Sequence, residues 1–173
     1  MTTVCFSHGQ ESGPWGTKIL ALADVARVAG HPVESLDYQG IADPLVRARK
    51  LATWCRAQPS PAILVGSSMG GYVALSAASD VGAAGLFLLA PALYVPGYDT
   101  VPVPPPPACR IMIVHGWQDD VLPWSGSTRY GELCGARVVL VQDDHRLVAD
   151  MASLCRMFRL FLDELGLSLP TAN

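Results

Sequence analysis

The segment Gly66-Ser67-Ser68-Met69-Gly70 places a serine between two glycines, each two residues away. It joins the apolar run Ala62-Ile63-Leu64-Val65 to the helix-like run Gly71-Tyr72-Val73-Ala74-Leu75. A serine alcohol is a poor nucleophile unless geometry and a base activate it. A sharp strand-to-helix turn supplies the geometry: it forces Ser68 into positive φ with its Oγ exposed. The residues two before and two after then come close together, and glycine is the answer without a side chain. A base and an orienting acid must complete such a site, and the chain offers them in the order Ser, Asp, His. Asp119 lies in His115-Gly116-Trp117-Gln118-Asp119-Asp120-Val121-Leu122-Pro123, just after the run Ile111–Val114. His145 lies in Gln142-Asp143-Asp144-His145-Arg146, just after Val138–Val141. Asp120 is the rival for the acid role, whereas Asp143 and Asp144 read as solvated or loop-bracing. His8 and His115 each precede a glycine at a strand end and read as turn braces.

These residues need a scaffold, and the hydropathy pattern supplies one. Val4–Ser7, Val33–Leu36, Ala62–Val65, Leu86–Leu89, Ile111–Val114 and Val138–Val141 read as short buried strands. Helices are expected over Trp15–Ala29, Pro44–Arg56, Met69–Ala78 and Leu147–Leu165, and within Trp124–Leu133. Strands alternating with helices predict a three-layer α/β/α sandwich on a mostly parallel sheet of about six strands. Ser68, Asp119 and His145 then all fall beyond the carboxyl ends of strands, where open parallel sheets bind ligands.

The chain of 173 residues suits a single domain spanning 1–173. Half its residues are hydrophobic and 16% are charged, as expected of a sheet buried on both faces. The net charge of −3, with no basic run, disfavours nucleic acid or an anionic membrane as partner. Uncharged stretches at 61–79 and 81–98 are broken by Gly, Pro and Ser, so buried strands with their flanks explain them better than spanning helices. Five scattered cysteines without a Cys-x-x-Cys pair argue against a zinc site or disulfide framework. With no leader-like N-terminus, the expected location is the cytoplasm. Between Pro91 and Ala108 runs a proline-rich segment that reads as a plain surface connection rather than a substrate-facing wall.

On these motifs the chain resembles a small, essentially lidless bacterial member of the α/β-hydrolase superfamily. The likeness runs from the His8-Gly9 turn through the Ser68 elbow and the His-Gly-x-x-Asp segment to Asp144-His145. It implies that the chain starts at the strand larger members number third, with the cap reduced to the proline-rich segment. It further implies that Ser68 attacks a carbonyl carbon, His145 shuttles the proton and Asp119 fixes the imidazole. The oxyanion would be held by the backbone N–H of Met69, next to the nucleophile, and by that of Gln10, after the first His-Gly. The loop Gln10–Pro14 is more polar than is usual in the family. Trp15, Trp117 and Trp124 flank the expected site loops and are candidates to line it. No metal or organic cofactor is implied. The expected function is hydrolysis of small carboxylic esters or thioesters; a peptidase or amidase would use the same triad, and a binding protein could keep the fold without catalysis.

Overall fold

A computed structural model describes residues 1–97 and 101–167. Residues 98–100 of the proline-rich segment and 168–173 lie outside the described residues. Six strands form one all-parallel sheet: β1 (Val4–Ser7), β2 (Val33–Leu36), β3 (Ile63–Ser67), β4 (Gly85–Leu89), β5 (Arg110–Gly116) and β6 (Arg137–Val141), in the order β2-β1-β3-β4-β5-β6. Five helices connect or follow them: α1 (Thr17–Val28), α2 (Pro44–Arg56), α3 (Met69–Val81), α4 (Ser125–Cys134) and α5 (Met151–Leu167).

Successive strand residues face opposite sides, and both sides are apolar. Cys5, Leu64, Leu86, Leu88, Ile111 and Ile113 meet α2, α3 and α4 on one face. Val4, Phe6, Val65, Phe87, Met112 and Val114 meet α1 and α5 on the other, where Phe158 packs on Phe87 with ring centroids 4.9 Å apart. The chain leaves β1 in one direction to reach β2, then returns past it to β3. The loops after β1 and β3 therefore diverge onto opposite faces, the switch point at which parallel sheets bind ligands. His8-Gly9 follows β1 and Ser68 follows the adjacent β3.

Local chemistry explains where the helices begin and end. Asp43 caps α2 by accepting from the Leu45 N–H, and Pro44 occupies the first turn, where no N–H is needed. α3 continues to Val81 and stops at Gly82 in the left-handed region. α1 starts at Thr17 rather than Trp15, and α5 at Met151 rather than Leu147, which has φ 53° and belongs to the preceding loop.

The proline-rich segment is more than a surface connection. Pro104 and Pro107 are buried, and Val101 and Val103 pack on the α2–α3–α4 side of the core. Tyr72 of α3 donates its hydroxyl to the Pro102 carbonyl (2.9 Å) and Tyr130 of α4 donates to that of Pro104 (3.1 Å). Among the described residues, no helix is long and apolar enough to cross a membrane.

Candidate active site

Ser68 sits between β3 and α3 with φ 56° and ψ −122°, the strained conformation expected of an elbow. Its surroundings leave no room for alternatives at the flanking glycines. A Cβ on Gly66 would strike the Gly70 carbonyl, and one on Gly70 would strike the Ser7 carbonyl. Backbone bonds brace the turn from β4, the Ser68 N–H donating to the Leu89 carbonyl (2.9 Å) and the Ala92 N–H to the Ser68 carbonyl (3.0 Å).

The three residues expected to act together do meet. His145 Nε2 lies 3.1 Å from Ser68 Oγ, and His145 Nδ1 lies 2.7 Å from Asp119 Oδ2. Asp119 is an acceptor only, so His145 carries its proton on Nδ1 and presents a free Nε2 lone pair to the serine. The Asp119 side chain is fully buried while the His145 ring is partly exposed. Asp119 Oδ1 accepts from the Val121 N–H (2.9 Å) and the Leu122 N–H (2.8 Å). Burial alone would raise the Asp119 carboxyl, but the hydrogen bonds from Leu122, His145 and Val121 outweigh it and hold the group below the usual carboxylate range. Asp120 is exposed and takes no part.

A second imidazole shares that carboxylate. His115, fully buried, places Nε2 2.9 Å from Asp119 Oδ2 and 3.1 Å from the Leu122 carbonyl. Both are acceptors, so Nε2 carries the proton, and Nδ1 accepts from the Ser127 hydroxyl at 2.7 Å. Burial pushes the His115 pKa down, which keeps the ring neutral. Asp119 thus accepts four hydrogen bonds and is fixed in place from two sides. As a brace His115 was legible; its grip on the acid was not, although the i,i+4 spacing His115–Asp119 was the available signal.

Two backbone N–H groups complete the arrangement. An ideal Cβ on Gly9 would lie 3.5 Å from Ser68 Cβ, so the loop carrying Gln10 runs beside Ser68. Met69 opens α3, where the helix dipole favours negative charge. Among the described residues, no carbonyl accepts from the Gln10 or Met69 N–H.

The tryptophans divide. Trp117 is half exposed at the end of β5 and packs edge-on against Trp124, with centroids 4.9 Å apart. Trp15, also partly exposed, has its ring beneath the guanidinium of Arg27, in the last turn of α1 (5.8 Å). Asp143 is a loop brace, accepting from the Asp144 and Ala149 N–H groups. Lys18, in the first turn of α1, was not anticipated: burial lowers its pKa to about 8 against the pull of Asp143, Asp119 and Asp144. Among the described residues, no group of three His, Cys, Asp or Glu side chains is placed to hold a metal ion. A cavity of about 330 Å³ lined by Cys109, Arg110, Cys134, Arg137 and Glu164 opens at the opposite edge of the sheet.

Comparison with known proteins bears on the family and the fold. The model of the alpha/beta hydrolase family matches residues 5–171. A crystal structure from Xanthomonas campestris pv. campestris, of a protein placed in the alpha/beta hydrolase superfamily, superposes with a TM-score of 0.86 at 31% identity, covering 95% of this chain and 99% of that one. Est1E from Butyrivibrio proteoclasticus, solved with ferulic acid bound, gives 0.81 at 15% identity over 97% and 90% of the two chains. Mouse alpha/beta hydrolase domain-containing protein 10 gives 0.77 at 22% identity over 94% and 90%. The last two show likeness of fold alone, and no protein of curated function matches. Fold and neighbours together support hydrolase activity, and the chain belongs to the α/β-hydrolase family.

Proposed function

We propose that this protein is a serine hydrolase that cleaves small carboxylic esters or thioesters through an acyl-enzyme. The observation that carries the reading is the unbroken line from Ser68 Oγ through His145 to the buried Asp119 carboxylate, with spacings of 3.1 and 2.7 Å. Ser68 Oγ attacks the carbonyl carbon while His145 Nε2 takes its proton, and the imidazolium is stabilised by Asp119. The oxygen that becomes negative is met by the N–H groups of Met69 and Gln10. His145 then passes its proton to the departing alcohol or thiol. Water, deprotonated by the same nitrogen, attacks the acyl carbon, and Ser68 leaves with the proton. The Trp117–Trp124 pair supplies an apolar wall to one side. The chemistry calls on no metal or organic cofactor, and the partner is a small molecule.

A fluorophosphonate, with the adduct located by mass spectrometry, tests this directly. Labelling of Ser68 that disappears in His145→Ala is the expected result. Folded protein that takes no label at Ser68 would sink the reading in favour of a binding role on the same fold. A labelled enzyme that turns over amides but neither esters nor thioesters would replace the substrate class.

A further inference from the structure

Arg47 is an oddity that the reaction above does not use. It stands in the first turns of α2 with 2% of its surface exposed. A buried guanidinium is costly unless paired. Among the described residues it has no carboxylate partner. Its Nε donates to the Ile41 carbonyl (2.6 Å), its Nη1 donates to the Gly9 carbonyl (3.2 Å), and its guanidinium lies 5.5 Å from the centre of the Tyr38 ring. The Gly9 carbonyl has a second donor, His8 Nδ1 at 2.8 Å. The proton position on His8 is settled by its other nitrogen: Nε2 accepts the Tyr38 N–H at 2.9 Å, so the hydrogen must sit on Nδ1. Asp37 Oδ1 is 3.7 Å from Nε2, too far to compete.

The carbonyl so held belongs to the same peptide unit as the Gln10 N–H. A trans peptide is planar, and its C=O and N–H point in opposite directions. Fixing one end of the unit fixes the other. Donors at the oxygen, one of them cationic, also draw electron density through the amide and make its N–H a stronger donor.

We propose that Arg47 and His8 form a clamp on the Gly9 carbonyl that aims and polarises the Gln10 N–H as an oxyanion donor, with Arg47 a positioning residue for catalysis. This rests on the hydrolase reading above. It gives the uncompensated buried cation a purpose: the negative charge it is set to serve arises during the reaction, one peptide unit away. It also explains why a polar loop from Gln10 to Pro14 can carry the donor, since the aim is set from beneath and not by the loop's own side chains.

The test compares wild type with Arg47→Met, which keeps the stem and removes the donors, and with Arg47→Lys, which keeps a charge. Two readouts are taken. In isotope-labelled protein, the Gly9 carbonyl carbon and Gln10 amide nitrogen resonances report the clamp without any turnover. In catalysis, kcat and KM are measured for an oxoester and its thionoester partner, because a sulfur anion gains less from these donors. The clamp predicts that both resonances move upfield in Arg47→Met. It also predicts a kcat for the oxoester lower by about tenfold, a fraction of what losing a whole oxyanion donor costs. KM should change little, and oxo-over-thiono preference should shrink. Arg47→Lys should fall between, and carries the test if Arg47→Met does not fold. Ser68-dependent hydrolysis with resonances unmoved, or with kcat and oxo-over-thiono preference both within about twofold of wild type, overturns the clamp alone. A wild-type protein with no Ser68-dependent hydrolysis defeats the hydrolase reading and the catalytic purpose of the clamp together.

Discussion

Replacing Asp119 by asparagine tests the acid assignment with a magnitude the structure dictates. All four hydrogen bonds to this carboxylate come from donors: Val121 and Leu122 N–H on Oδ1, His145 and His115 on Oδ2. An amide offers one oxygen and one NH2, so one side must face donor against donor. Turned toward the loop, the NH2 strands two backbone N–H groups, at about 1–3 kcal/mol each. Turned toward the imidazoles, it drives the His145 proton to Nε2, where it points at Ser68 and cannot accept the serine proton. The wrong tautomer costs about 10⁴-fold in kcat, or about 5.5 kcal/mol. His115 is caught as well: to accept from the new NH2 it must give up its bond to the Leu122 carbonyl. Asp119→Asn is therefore expected to lose nearly all turnover of a short-chain p-nitrophenyl ester and to melt earlier. Asp120→Asn, at an exposed position, should stay within about 0.5 kcal/mol of wild type in both respects. Activity within tenfold of wild type in Asp119→Asn, or a larger loss in Asp120→Asn, would refute the assignment.

Two predictions concern stability against pH. Burial holds His8 and His115 below the ordinary histidine value, so the unfolded chain takes up protons below about 6.5 that the folded chain refuses. Urea midpoints should drop as pH falls from about 7.5 to 5.5, and His115→Gln should flatten that slope; an unchanged slope would contradict the neutral, buried ring. Lys18 works at the other end: with its folded value near 8, the unfolded chain holds the extra proton up to about 10.5, and stability should rise across that window. The rise should amount to about 1–3 kcal/mol and vanish in Lys18→Met, as chemical denaturation at pH 7.5 and 10 would reveal.

The elements that the sequence made readable share one property: each is specified by short-range pattern. Ile111–Val114 is apolar without interruption because both its faces are covered, and Pro44 can only open a helix. The elbow announces itself because its glycines stand at fixed spacing about Ser68, Gly66 being demanded by contact with Gly70 and Gly71 within five residues, although Gly70 is demanded by the distant Ser7 carbonyl. Ser68, Asp119 and His145 could be singled out because each lies in the loop or turn that follows a strand. What was not legible depends on the path of a side chain across the fold. Trp15 follows the Gln10–Pro14 loop in sequence, and nothing local reveals that its ring meets Arg27 of α1. Arg47 meets Gly9 across 38 residues, and only its place on the buried stripe of α2, four before Leu51 and eight before Cys55, hinted that it points inward. The prolines read as an exposed connection because nothing local reveals that Tyr72 and Tyr130 hold their carbonyls.

His145 follows β6, and β6 is an edge strand paired with β5 alone. Ser68, by contrast, follows β3, flanked on both sides by β1 and β4. Nucleophile and base thus belong to regions of unequal protection. Opening the outer strand together with the loop that follows it requires breaking a single ladder, a smaller excursion than unfolding the centre of the sheet. Each such opening uncouples the imidazole from a serine that stays in place. If the proposed reading holds, activity is expected to be lost on warming by fraying of this margin, while most of the core is still intact.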